Sequence, residues 1–128
     1  MRWPRGGRAV AELVEELTAF PARVDERGTL LPIELDDVGF VVRRIFTVTG
    51  TSPASTRGEH LTDCHELIVL IQGEVEVTTR SLGVDRRVTL DRPGATIEVV
   101  PDTFIRYRLR DDASTILVLA DKPFRQRA

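Results

Sequence analysis

The sequence predicts a single all-β domain, rolled into a sandwich or a barrel. After Pro21 the chain breaks into short runs of aliphatic and β-branched residues, and turn-forming residues separate the runs. These runs number about eight and recur roughly every ten residues, which is the spacing of a β-sandwich or barrel. A chain of 128 residues suits one domain. A rolled sheet of this size can hold one small ligand in its mouth.

The elements follow in order along the chain. Apolar residues at helical spacing predict a short amphipathic helix over residues 7–20, so we divide the chain into a helical extension, 1–20, and a β-domain, 21–128. Each run after it is a predicted strand because it is bounded by Gly, Pro or Asp. These strands are GTLLPIE (28–34), FVVRRIFTV (40–48), HELIVLIQ (65–72), EVEVTT (74–79), RRVTL (86–90), ATIEVV (95–100), TFIRYRL (103–109) and STILVLA (114–120).

Composition excludes several classes of function. The net charge is −2, which argues against a generally basic nucleic-acid binder. The single cysteine cannot form an internal disulfide, and no apolar run approaches the ~18 residues of a membrane span. The first residues lack the apolar core of a signal peptide. We therefore expect a cytoplasmic protein that acts on a small molecule.

The scarce reactive side chains gather in one stretch, RGEHLTDCHELIVLIQGEVEV, residues 57–77. It holds both histidines and the cysteine. If a regular strand runs from His60 to Leu70, alternation places one set of side chains on a single face and His65 on the other. The set is His60, Thr62, Cys64, Glu66, Ile68 and Leu70. Its polar members would lie at an opening above an apolar floor.

The spacing of His60, Glu66 and Gly73 resembles the first cupin motif, with Thr62 where a second histidine is expected. A second cupin motif is echoed around Gly94 and Pro101, where Ile105 and Arg106 stand at the metal-binding position. His60, Cys64 and Glu66 on one face would give the minimum ligand set of a transition metal, and a bulge would bring in His65 instead. Because Arg106 would repel a cation, we favour a site without metal or other cofactor. Cys64 by itself is more typical of a small buried hydrophobe than of a nucleophile.

Several further elements resemble one family, the nucleotide-sugar 3,4-ketoisomerases that act on TDP-4-keto-6-deoxyglucose. The elements are DERGTLLPIE (25–34), RRIFTV (43–48), RGEH (57–60), VTLDRPG (88–94), VPDTF (100–104) and ILVLAD (116–121), and the likeness covers about residues 20–124. The resemblance implies a jelly-roll cupin without metal and a homodimer formed through N-terminal strands. It also implies a TDP-sugar substrate whose keto group moves from C4 to C3 through an enediol. In the family a histidine pair transfers the protons and an aromatic hydroxyl assists.

The chain departs from the family at those positions. Where the family has two histidines one residue apart, this chain reads His60-Leu61-Thr62, and a gap would align His60 with either member of the pair. Phe46 and Thr47 stand where a tyrosine is expected, and Phe104-Ile105 replaces a Trp-His pair.

We expect His60 to be the catalytic base, with Tyr107, Glu66 or Cys64 as the partner acid; His60, Glu66 and Tyr107 form the predicted catalytic set. Arg57 and Arg44 are predicted to pair with a diphosphate, because guanidinium matches phosphate oxygens in a fork. The remaining predicted substrate-binding residues are Thr62, Cys64 and Arg106. Two alternatives stay open. The barrel is recruited to isomerise or cyclise a natural-product intermediate, or it only binds a small molecule.

Overall fold

The computed structural model describes residues 19–51 and 55–124, and within them it contains ten strands and one short 3-10 helix. The strands are β1 (Arg23–Asp25), β2 (Gly28–Leu30), β3 (Arg44–Thr49), β4 (Ser55–Leu61), β5 (Glu66–Gln72), β6 (Val75–Ser81), β7 (Val84–Leu90), β8 (Thr96–Val99), β9 (Phe104–Leu109) and β10 (Thr115–Ala120). The 3-10 helix spans Leu35–Asp37.

Eight strands form two facing antiparallel sheets of four, in the orders β3-β10-β5-β8 and β4-β9-β6-β7. Apart from the β6–β7 hairpin, consecutive strands from β3 to β10 alternate between the two sheets in the manner of a jelly roll. Strands β1 and β2 pair only with each other, as a separate hairpin. The predicted all-β, jelly-roll cupin class is confirmed.

Two apolar layers hold the molecule together. The first lies between the sheets and includes Ile68, Val77, Ile105 and Val118, all fully buried. The second lies on the outer side of the first sheet, where the segment from Phe20 to Val42 covers β5 and β10. Strand β5 is therefore buried on both faces, which explains its uninterrupted aliphatic sequence.

Strand β9 shows the opposite pattern. Ile105, Tyr107 and Leu109 are buried in the layer between the sheets, and the residues that alternate with them are exposed. The second sheet thus carries an apolar inner face and a charged outer face.

The prediction of one regular strand from His60 to Leu70 is wrong. Strand β4 ends at Leu61, β5 begins at Glu66, and the two strands belong to different sheets. The turn forms because Thr62 is buried and bonded to the β8–β9 turn: its backbone N–H donates to the carbonyl of Thr103 at 2.8 Å. Strand β4 was not predicted because its sequence is mostly polar.

The predicted helix over 7–20 lies outside the described residues except for its end. There Ala19 forms an antiparallel bridge with Ala95, and the Phe20 N–H donates to the carbonyl of Gly94 at 2.9 Å, so these two residues are extended. No helix in the described part of the chain is long and apolar enough to cross a membrane.

Candidate active site

One end of the space between the sheets is lined by polar side chains from both sheets. Residues directly opposite in antiparallel strands point to the same face. In the first sheet, Arg44, Ala120, Glu66 and Val99 form such a cross-strand row. In the second sheet the corresponding row is His60, Ile105, Thr79 and Arg86. The short connection from Leu61 to Glu66 brings the two rows to the same end of the barrel.

A β-bulge in β4 directs two site residues inward. Arg57 pairs with Tyr107 and His60 pairs with Ile105, and the register shifts between them. Because both partners are buried in the inner layer, Arg57 and His60 both point inward although three positions separate them. Gly58 makes the bulge possible with a φ of +77°, which is favourable only for glycine.

Glu66 is a buried carboxyl group, with 7% of its surface exposed. The pKa of Glu66 is raised by burial, and electrostatic interactions with His60 and Arg44 oppose the rise. Its only hydrogen-bonding contact within residues 19–51 and 55–124 is with the Cys64 thiol, at 4.0 Å between Sγ and Oε2. A carboxyl group that is buried without a strong hydrogen-bond partner favours its neutral form and can donate a proton.

Tyr107 lies one layer deeper and is 5% exposed. Burial and the nearby Glu66 raise its pKa, whereas Arg57 and Arg44 act in the opposite sense. Its hydroxyl makes no hydrogen bond to any described residue. A buried tyrosine hydroxyl ordinarily has a partner, so this one is available to a ligand.

Cys64 is buried at the edge of the same cluster. Burial raises the pKa of its thiol to about 11, and the charges of Glu66 and Asp63 add to the effect. The thiol is therefore almost wholly protonated at neutral pH and is a poor nucleophile. In this position it can act only as a weak hydrogen-bond donor to Glu66.

Arg44 is held by two aromatic rings. Its guanidinium lies 4.5 Å from the ring centroid of Phe46 and 4.9 Å from that of Phe124. Such stacking fixes the side chain while leaving its N–H groups free to bind an anion. Arg44 and Arg57 thus contribute positive charge on either side of the Glu66 and Tyr107 pair.

Three residues singled out from the sequence are not brought into this cluster. The Thr62 hydroxyl lies 3.1 Å from the backbone carbonyls of both Val100 and Thr103. Arg106 lies on the outer face of the second sheet, 3.9 Å from a carboxylate oxygen of Glu59, in a surface groove of about 390 Å³. His65 faces the outer layer of the first sheet.

Residues that the sequence reasoning missed include Thr79 and Arg86. Both belong to the same inward-facing row as His60. Strand alternation within RRVTL places Arg86 and Val88 on one face of the strand and Arg87 on the other. The sequence does not indicate which of the two faces points into the barrel. Among residues 19–51 and 55–124, no group of three His, Cys, Asp or Glu side chains is arranged to hold a metal ion.

The family model described as "FdtA: WxcM-like, C-terminal" matches residues 14–128, which is most of the chain. The chain belongs to this family. By sequence, no curated protein matches this FdtA-like chain.

Solved structures share the fold of this FdtA-like protein. A double variant of the QdtA 3,4-ketoisomerase from Thermoanaerobacterium thermosaccharolyticum, in complex with TDP, is 24% identical with a TM-score of 0.74, over 86% of this chain and 81% of that one. A 3,4-ketoisomerase from Helicobacter canadensis is also 24% identical with a TM-score of 0.74, over 87% and 85% of the two chains. The RmlC epimerase of Mycobacterium tuberculosis is 18% identical with a TM-score of 0.67, over 85% and 64%. At these identities the likeness establishes the cupin fold.

Proposed function

We propose that this protein is a metal-independent isomerase of the 3,4-ketoisomerase type, with proton transfer centred on His60. One observation carries the proposal: two buried polar groups, Glu66 and Tyr107, face the same end of the barrel as His60. Neither group has a strong hydrogen-bond partner among the described residues. Leaving such groups unsatisfied costs about 1–3 kcal/mol each, a cost that a polar substrate would offset.

The proposed reaction needs a base and an acid near two adjacent carbons. His60 removes the proton from C3 while a neutral acid, Glu66 or Tyr107, donates a proton to the C4 carbonyl oxygen, which yields the enediol. The protonated base then returns a proton to C4. The C3 hydroxyl gives up its own proton to the conjugate base of the acid, which leaves the carbonyl at C3. The raised pKa of Glu66 supports its role as the acid.

Arg44 and Arg57 favour an anionic substrate. QdtA has been crystallised with TDP and, as a histidine variant, with TDP-4-keto-6-deoxyglucose. A diphosphate placed between the two guanidinium groups would leave the sugar facing His60 and Glu66. We propose a TDP-sugar, or a sugar nucleotide of the same charge, as the substrate class.

The melting temperature in the presence of TDP tests this substrate class. We expect millimolar TDP to raise it, because a ligand that binds only the folded state stabilises that state. Arg57→Ala should reduce the shift, and Arg108→Ala is the matched control, since Arg108 is exposed on the outer face of β9. Arg106→Ala tests whether Arg106, the third arginine predicted to bind the substrate, contributes to TDP binding. Absence of any shift in the wild-type protein would sink the TDP-sugar proposal.

A second candidate function rests on Thr62. Its hydroxyl donates to the backbone carbonyls of the β8–β9 turn, two of which lie at 3.1 Å, so the residue at the expected second histidine is committed to the turn. A barrel with one histidine can isomerise or cyclise a different intermediate, such as a natural-product precursor, or can bind a small molecule without turnover. Turnover of a ketone other than a sugar nucleotide, with no TDP binding, would favour this candidate.

We also propose a homodimer, with a second copy covering the N-terminal strands. Val24, Leu30, Leu35, Val41 and Ile45 are large apolar residues, each more than half exposed. An isolated two-stranded hairpin such as β1–β2 is marginally stable in water, so a second chain that packs on these residues would stabilise it. Sedimentation analysis should give a dimer for the wild-type protein and more monomer for Val24→Asp. A wild-type monomer at micromolar concentration would contradict the proposal.

A further inference from the structure

Asp121, the residue that follows β10, is hydrogen-bonded to His65, the residue just before β5. One carboxylate oxygen accepts the backbone N–H of His65 at 3.0 Å, and the other lies 3.0 Å from its ring Nδ1. In return, the Asp121 backbone N–H donates to the His65 carbonyl at 3.1 Å. A single residue thus makes three polar contacts with one neighbour.

His65 lies between two residues of the active-site cluster, Cys64 and Glu66. His65 directly precedes Glu66, the first residue of β5, and successive side chains of a strand point in opposite directions. Holding the His65 ring on the outer side therefore directs Glu66 inward. Cys64 lies in the turn before His65, and its thiol is 4.0 Å from the Glu66 carboxyl group. The ring of Phe40 stacks on the His65 ring, with 5.9 Å between the ring centroids.

The same C-terminal segment reaches the other side of the site. Three residues beyond Asp121, the Phe124 ring lies 4.9 Å from the Arg44 guanidinium. The Arg43 N–H donates to the carbonyl of Ala120 at 2.7 Å, just before Asp121. Asp121 is thus fixed in a stretch that touches both the Glu66 strand and the Arg44 strand.

We propose that Asp121 is a positioning residue, which acts through His65 to hold the carboxyl group of Glu66 and the thiol of Cys64 in the barrel. This inference rests on the proposed function only for its effect on catalysis. The geometric part concerns the order of residues 64–66, which is measurable without any substrate. Two separate readouts therefore distinguish a failure of the positioning role from a failure of the isomerase proposal.

The first readout is the reaction of Cys64 with a soluble disulfide reagent under native conditions. Cys64 is the only cysteine of the chain, so its labelling rate reports local opening around residues 64–66. We expect Asp121→Ala to raise the rate at least about tenfold, because both side-chain bonds to His65 are lost. Asp121→Asn should stay within about threefold of wild type, because its amide oxygen still accepts the His65 N–H.

The matched control is Asp85→Ala. Asp85 forms a paired contact with Arg80 at 2.6 and 3.0 Å on the outer face of the second sheet. Its loss should leave Cys64 labelling unchanged. The proposal is overturned if Asp121→Ala labels at the wild-type rate, or if Asp85→Ala accelerates labelling as much.

The second readout is the pH profile of turnover. A displaced Glu66 would lose part of the burial that raises its pKa. Asp121→Ala should therefore lower kcat, and the limb of the kcat–pH profile that reports Glu66 should move to lower pH. The KM should change less than kcat. An accelerated labelling rate with an unchanged profile would mean that Asp121 orders the segment without positioning the acid, which contradicts the proposal. If no turnover of a TDP-sugar is found for the wild-type protein, the proposed function fails, and the labelling rates still decide whether Asp121 holds residues 64–66 in place.

Discussion

Gly58 lies against the ring of Tyr107. A Cβ atom placed on Gly58 would lie 2.7 Å from Cε1 and 2.8 Å from Cζ of that ring. The bulge that turns Arg57 and His60 inward therefore rests directly on the buried tyrosine. The positions of Arg57, His60 and Tyr107 therefore depend on the absence of a side chain at Gly58.

The first prediction concerns this contact. Gly58→Ala should lower the free energy of unfolding by more than the ~1–2 kcal/mol that a left-handed backbone costs a residue with a side chain, because a steric clash is added. Gly83→Ala is the control: Gly83 has the same φ of +77°, but no atom lies within 4 Å of its added Cβ. Chemical denaturation measures both variants. Equal losses would mean that the ring contact has no energetic weight.

The second prediction separates stability from activity at Tyr107. Removal of a buried hydroxyl that lacks a protein partner should leave the free energy of unfolding of Tyr107→Phe unchanged or raise it by about 1 kcal/mol. If the hydroxyl assists proton transfer, kcat should fall about 10²-fold or more. Denaturation and turnover are measured on the same preparation. A variant that loses stability but keeps kcat would show a structural role instead.

The third prediction follows from the raised pKa of Glu66. A group whose pKa is higher in the folded state stabilises the fold fully below its unfolded pKa, and that stabilisation is lost as the pH rises through the folded pKa. Glu66→Gln removes this dependence. The melting temperature of Glu66→Gln relative to wild type should therefore increase between pH 4 and pH 8. A difference that stays constant with pH would show that the Glu66 pKa is not raised.

The fourth prediction concerns the role of Thr62. Thr62→Val keeps the shape but loses the hydroxyl that bonds two carbonyls, and it should lower the free energy of unfolding by about 1–2 kcal/mol. Thr62→Ser keeps the hydroxyl and serves as the control, with a smaller loss. If Thr62→Val is as stable as wild type and loses only ligand binding, Thr62 contacts the substrate as the sequence alone suggested.

The β-framework was predictable because its strands carry strong apolar patterns. Strands β5 to β10 lie within about two residues of the predicted runs. Strand β4 carries two residues of the candidate site, Arg57 and His60, and was not predicted as a strand, because its sequence gives no apolar periodicity. The bulge at Gly58 also shifts the register by an amount that the sequence does not reveal.

The site itself was predictable only in part. His60 was selected from the family resemblance of RGEH (57–60), and Glu66 and Tyr107 on chemistry and strand parity; all three face one end of the barrel. Alternation along a single continuous strand also grouped Thr62 with them, whereas a turn separates Thr62 from Glu66. The bonds between His65 and Asp121 join positions 56 residues apart, and no local pattern reports such a contact.

Exchange of solvent deuterium into TDP-4-keto-6-deoxyglucose tests the central role of His60 most directly. In deuterated buffer, nuclear magnetic resonance should show a 3-keto product that carries deuterium at C4. The exchange rate of His60→Ala should be lower than that of the wild type by about 10²-fold or more, while Arg108→Ala exchanges at the wild-type rate. Exchange by His60→Ala at the wild-type rate, or a wild-type protein that leaves the sugar unlabelled and unconverted, would contradict the account.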